Sequence, residues 1–169
     1  MPAKPIVKKP KPVIVHLGNV GDSFAAKTRA YSKRFPNARF VGIDIKSQIS
    51  TVKNWRQIKA GFAEGLKKLR NNSVSVISSD MALGYYPERN KIQYSEETIH
   101  LAFRKLKKGG KLYAAVHPES SGILSAIARL AGFSQVRTRP FTKIEYERTS
   151  WTSAFREKGH SLVQMEIIK

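Results

Sequence analysis

Before residue 88 the chain carries four carboxylates: Asp22, Asp44, Glu64 and Asp80. Asp44 has the most specific setting. It closes the apolar run Phe40 to Ile43, downstream of another run, Val13 to Leu17, that ends in the turn Gly18-Asn19-Val20-Gly21. Glycines let a backbone take positive φ and come close to a ligand. An acid at the end of the second strand can accept hydrogen bonds from both hydroxyls of a ribose. Strand, glycine turn, helix, strand and acid together point to a nucleoside site. A βαβ unit with an ordinary tight turn is the plainer alternative. Asp22 would follow the first strand, Glu64 the third and Asp80 the fourth, and in a parallel sheet these strand ends share one rim where ligands bind. Asp22 also suits a helix N-cap, and Glu64 a first-turn charge.

The elements that must position these groups alternate along the chain. Residues 1–12 hold Lys4, Lys8, Lys9 and Lys11 among four prolines, so an extended or disordered basic tail is expected. A helix carrying Phe24, Thr28, Tyr31 and Phe35 on one face should follow the glycine turn, until Pro36-Asn37 breaks it. Trp55 to Ala60 reads as a third strand. Gly61-Phe62-Ala63 opens a helix with Phe62, Leu66 and Leu69 at helical spacing. Val74 to Ser79 is a fourth strand, ending at Asp80. The loop Met81 to Tyr94 holds Tyr85, Tyr86 and Arg89, which could wall a substrate; its aromatics could equally pack the loop down. Ser95 is placed to cap a helix with Glu96 and Glu97 in its first turn, and Gly109-Gly110 to stop it. A fifth strand is expected over Lys111 to Val116, with His117 at its end. A helix over 120–131 would set Ile123, Ile127 and Leu130 on one face. Strands over Gln135 to Arg139 and Ser161 to Ile168 complete the pattern, with a short helix over 150–158 between them. The division is a tail, 1–12, and one domain, 13–169.

Charge is the strongest compositional feature. Lys and Arg total 31 against 12 Asp and Glu, a net charge of +19 in 169 residues. Such a balance attracts polyanions, nucleic acid first and acidic membrane second, although a lysine-rich solvated surface would read the same way. The chain has no cysteine, so a disulfide framework and a thiolate metal site are excluded. No run approaches the ~20 apolar residues of a membrane span, and the first residues lack a signal-peptide core. A cytoplasmic protein is expected, monomeric, homodimeric or bound to a partner protein.

In order and content the chain after residue 12 resembles the class I S-adenosylmethionine-dependent methyltransferases. The resemblance rests on VIVHLGNVGDSF as the cofactor loop, FVGIDI as the second strand with its acid, and VSVISSDM as the fourth strand. LKKGGKLYAAV resembles the fifth strand with the preceding helix end, and LAGFSQV the step into the final hairpin. It implies an α/β, three-layer, Rossmann-like fold whose seven-stranded, mostly parallel sheet has an antiparallel last strand. It also implies S-adenosylmethionine as cofactor. Gly18, Asn19 and Gly21 would pass its methionine part, Asp44 and Ile45 would meet the ribose side, Phe62 and Ala63 the adenine, and Asp80 and Met81 the reaction centre. RFPNARFVGIDI is similar to the tRNA guanine-N7 methyltransferases, a pointer to RNA.

The chain departs from the family in places. His16 stands where the family loop opens with an acid, and Val20 and Asp22 stand where it has glycines. The Asn/Asp-Pro-Pro-Tyr signature of amino-methylating members does not follow the fourth strand. Two functions remain open. One is a methyltransferase acting on tRNA or rRNA, with Asp80 as the group facing the acceptor. The other is a non-catalytic RNA- or protein-binding module on the same fold.

Overall fold

A computed structural model describes residues 11–18, 32–46, 54–80, 83, 89–143, 145, 156–157, 159 and 161–169, with backbone alone for 89–95. Its centre is a seven-stranded sheet in the order β3-β2-β1-β4-β5-β7-β6. The strands are β1 (Val13–Leu17), β2 (Arg39–Asp44), β3 (Trp55–Lys59), β4 (Val74–Asp80), β5 (Leu106–Val116), β6 (Gln135–Pro140) and β7 (Val163–Ile168). β1 to β5 pair in parallel. β7, last in the chain, is antiparallel to both β5 and β6 and lies one strand in from the edge.

The order has one consequence for function. The chain starts in the middle at β1, runs outward through β2 to β3, then returns to β4 on the other side of β1. At such a switch point the connections leave in opposite directions, and a crevice opens above the carboxyl ends of the two central strands.

The described residues include three helices: α1 (Phe62–Lys67), α2 (Arg89–Lys105) and α3 (Pro118–Leu130). They share one sheet face, where Val15, Leu17, Ile43, Ile77, Leu112, Ala114 and Met165 meet Leu66, Ile99, Ala102, Leu124 and Ala128. The alternating residues Ile14, Phe40 and Val76 form a smaller cluster on the other face with Phe35, Ala38 and Trp55. A helical turn at 32–34 precedes it. Strands β1 and β2 are thus buried on both faces, which is why they read as unbroken apolar runs. α1 sits close on β2 because residue 65 is glycine: a Cβ there would collide with Ile43. Among the described residues no helix is long and apolar enough to cross a membrane.

Three expectations are corrected. α2 begins at Arg89, so Arg89 to Tyr94 form its opening turns and Ser95 lies inside it rather than capping it. The run 89–105 contains neither glycine nor proline, and nothing in it prevents helix propagation. Gly109-Gly110 does not end the helix. α2 stops at Lys105, and the glycines lie in β5, with Gly109 at φ +71, where the pairing with β4 changes register. In α3 the buried stripe is Leu124, Ile127 and Ala128, while Ile123 and Leu130 face solvent. The small Ala128 lets this helix lie down on the sheet, and that shifts the buried stripe by one position.

Candidate functional site

Register places the site. Leu17 pairs with Ile43 on one side and Ser79 on the other, so the next residues up, Asp44, Gly18 and Asp80, stand side by side on β2, β1 and β4. With strands ~4.8 Å apart, the two acids flank Gly18 at a separation of ~10 Å. These are the carboxyl ends of the two central strands and their neighbour, at the switch point. Gly18 has φ +74, the left-handed region that glycine takes at least cost, and its N–H donates to Ile43 O at 3.0 Å. That bond ties the turn after β1 to the tip of β2.

Asp44 is 5 % exposed. Its Oδ1 accepts the Lys46 N–H at 2.9 Å, and its main-chain oxygen accepts the Ala60 N–H at 3.0 Å. No described residue donates to Oδ2. One oxygen thus orients the carboxylate, and the other could accept from a ligand. Ile45, immediately after it, is 67 % exposed and presents an aliphatic side chain beside the acid. Across from it α1 begins: Phe62 packs partly against the core and Ala63 is buried within it, so Ala63 offers its backbone rather than its methyl group. A diol, a planar base edge and a polar tail would meet in turn the carboxylate, the Ile45 and Phe62 surfaces, and the Gly18 turn. The described residues suit a nucleoside.

Asp80 is half-buried at the tip of β4. Glu64 turns away from the crevice: its carboxylate is bonded to Lys67 at 2.7 Å, and Lys67 also reaches Glu97 at 3.0 Å, which links α1 to α2. Glu64 serves as the first-turn charge and lies outside the rim set. Its pKa is held below the usual carboxylate range by the Lys67 hydrogen bond and charge. Asn19, Val20, Gly21, Asp22, Met81, Tyr85 and Tyr86 lie outside the described residues, as does the Arg89 side chain, whose backbone opens α2.

The sequence reading did not single out Ser78 and Ser79. Both are buried in β4, and Ser78 Oγ is hydrogen-bonded to His16 Nδ1 across the β1–β4 pair. His16, where an acid was expected, is thus buried and bonded sideways, two residues below Gly18. Ser79 Oγ, on the other sheet face, is buried with no hydrogen-bond partner. Two adjacent serines just before Asp80 were the available signal.

The crevice rim continues outward. β6 ends at the same level as β5, and Arg139 near its tip forms a two-pronged ion pair with Glu145 at 2.7 and 2.6 Å. Glu145 also accepts the Thr142 N–H at 2.9 Å. The Arg139 guanidinium holds the Glu145 carboxyl down at about 2, against the opposing effect of burial. Glu119 lies in the first turn of α3 at this same end.

No protein-family model matches the chain, and no curated protein matches it. Solved structures do. Phosphoethanolamine N-methyltransferase 2 of Haemonchus contortus, in complex with phosphomonomethylethanolamine and S-adenosylhomocysteine, is 14 % identical with a TM-score of 0.60 over 97 % of this chain and 50 % of that one. The chain therefore spans half the length of that enzyme. A putative methyltransferase in complex with the Haloferax volcanii Trm112 activator is 16 % identical, with a TM-score of 0.62 over 94 % of this chain and 82 % of that one. The W203A mutant of a 16S rRNA (adenine(1408)-N(1))-methyltransferase from Catenulisporales acidiphilia is 13 % identical, with a TM-score of 0.61 over 94 % of this chain and 85 % of that one. At such identities the likeness speaks for architecture, and with the strand order and the antiparallel β7 it identifies the fold as that of the class I S-adenosylmethionine-dependent methyltransferases.

Proposed function

We propose that the chain is an S-adenosylmethionine-dependent methyltransferase that acts on RNA. The observation that carries the reading is the row Asp44, Gly18, Asp80 at the switch point, with Asp44 buried and oriented by the Lys46 N–H. Asp44 would grip the ribose diol, Ile45, Phe62 and Ala63 would border the adenine, and Gly18 with Asn19 and Gly21 would line the methionine part. Met81 would lie at the reaction centre beside Asp80, and Tyr85, Tyr86 and Arg89 would contact substrate. Bound there, the sulfonium supplies an activated methyl group. Transfer from it depends chiefly on alignment of donor and acceptor, so a site without a nucleophile–base pair is sufficient. Asp80 would accept a hydrogen bond from the acceptor group and fix its approach.

RNA as the acceptor is supported by the net charge of +19 and by the likeness to an rRNA methyltransferase. The likeness to a methyltransferase held by Trm112 supports a partner protein as a possible companion. A cytoplasmic location remains the expectation from composition.

One observation favours a second reading, a non-catalytic RNA- or protein-binding module. His16 is buried and bonded to Ser78 where the family has an acid. Calorimetric titration separates the two. The enzyme reading expects micromolar binding of S-adenosylmethionine or S-adenosylhomocysteine, weakened at least tenfold by Asp44→Ala. The absence of heat and of any thermal shift at millimolar ligand refutes it and leaves the binding module.

A further inference from the structure

The end of the sheet opposite the crevice is built where the α1–β4 turn, the α2–β5 junction and Lys169 meet. The Asn72 and Ser73 N–H groups donate to Arg104 O and Lys105 O, each at 3.0 Å, and lace the turn to the end of α2. Lys105 Nζ donates to Leu69 O at 2.7 Å and Asn71 Oδ1 at 2.8 Å. From the other side Lys169 Nζ donates to Asn72 Oδ1 and Leu106 O, both at 2.8 Å, and stands 4.5 Å from the centre of the Phe103 ring. Asn72 at φ +53 and Gly109 at φ +71 set the two bends.

Two lysines are thus fastened into a turn by neutral oxygens alone. Burial pushes both ammonium groups below their usual pKa, and Arg104 adds to the effect at Lys105. Around them Lys68, Arg70, Arg104, Lys107 and Lys108 are exposed. None of these seven cations forms an ion pair with a described carboxylate. Residues 65–79 and 98–118 contain no acid at all. The carboxylates that come near are engaged elsewhere: Glu64 and Glu97 with Lys67, and Glu166 with Lys111. Protein surfaces ordinarily mix the two signs. A rigid patch of one sign concentrates a potential of several kT and draws polyanions.

We propose that this basal rim holds the phosphodiester backbone of a folded RNA whose acceptor nucleotide reaches the crevice at the other end of the strands. The proposal rests on the RNA reading above and adds where, and what kind of RNA, the protein grips. β4, seven residues long, separates the two ends by about 20 Å. A nucleoside or a dinucleotide cannot touch both; a structured RNA body can. The planar arginine forks suit phosphate oxygens in two-pronged bonds, and the lysines act as point charges beside them.

The test compares two triple variants of equal charge. One removes basal cations: Arg70→Gln, Lys107→Gln and Lys108→Gln. The other removes exposed cations towards the opposite end of the sheet: Lys59→Gln, Arg137→Gln and Lys143→Gln. Binding of a labelled hairpin RNA is followed by anisotropy over a salt series, and S-adenosylmethionine binding and melting are measured beside it. The basal variant should lose about 2 to 3 from the slope of log affinity against log salt, at 0.7–0.9 per phosphate contact, and bind at least tenfold more weakly near ~0.1 M salt. The control should lose less than about 1. Both should bind cofactor and melt as the parent does. Equal losses in the two variants overturn the proposal in favour of diffuse attraction. Wild-type RNA binding with an unchanged basal variant sinks the proposal and spares the RNA reading. No RNA binding by the wild type sinks both. Sedimentation with phosphatidylserine vesicles that only the basal variant loses, with RNA binding intact, assigns the patch to a membrane surface and refutes the proposal.

Discussion

At the crevice end of the sheet Asp44, Asp80, Glu119 and Glu145 stand within one layer, whereas at the basal end seven cations gather without a paired carboxylate among the described residues. The two ends are made from the same strands, a few residues apart in sequence. The difference teaches that the excess of positive charge is not spread evenly over the surface. A chain with so few acids has several of them at one rim. The opposite rim is left positive, with Lys105 and Lys169 held in place by hydrogen bonds. α1 runs between the two: it opens beside Asp44 and ends at Lys68.

The sharpest way to break this division is Asp80→Asn. If the crevice end does the chemistry, methyl transfer to RNA should fall by 10²-fold or more, the range for a positioned polar group. Affinity for S-adenosylmethionine and for RNA should stay near that of the parent. An equal loss of RNA affinity, measured by anisotropy, would merge the two ends into one site.

Gly65→Ala probes the connection. The new Cβ meets buried, β-branched Ile43, which has little freedom to yield, so overpacking should cost about 1–3 kcal/mol in denaturant melts. Because Ile43 precedes Asp44, cofactor binding should weaken as well, and the basal turn at Lys68 should shift with the helix. A stability unchanged from the parent would show that α1 is not seated as described.

The smallest effect concerns the outer part of the crevice rim. Glu145 is only 11 % exposed and its folded pKa is about 2, below the unfolded value of 4.5. A depressed carboxyl pKa stabilises the fold above the unfolded value, and that contribution is lost as pH falls from about 4.5 through about 2. Glu145→Gln should therefore lower stability near neutral pH by about 1–2 kcal/mol, since the half-exposed Arg139 is screened by solvent. The difference from the parent should vanish towards pH 2. A difference that persisted in strong acid would point to packing rather than the ion pair. RNA binding at the basal end should not change.

Much of the fold was legible because its strands are short and self-announcing. Val13–Leu17 is buried on every residue and reads as one apolar run, and Asp44 closes a second such stretch. The edges were harder. β5 begins at Leu106 because Leu106 pairs with Val74, a partner far away in sequence, while locally Lys107, Lys108 and the glycines look like a helix end. The start of α2 was missed because Ser95 and its two glutamates imitate a cap, although the preceding residues continue the same helix. Of the candidate site, Asp44, Gly18 and Asp80 stand at the strand ends where their positions in the sequence put them. The His16–Ser78 pair could not be read that way, since two residues on different strands become neighbours only through register.

By itself the sequence determined the alternation of strands and helices, the acids at strand ends and the excess of positive charge, because period, turn residues and composition are local properties. The tertiary structure alone decided which charges are neighbours. Strand order β3-β2-β1-β4-β5-β7-β6 sets Asp44 and Asp80 on either side of Gly18 and draws Arg70, Arg104, Lys107 and Lys169 to the opposite end. Such proximities arise from pairing across long stretches of chain, and no local pattern encodes them.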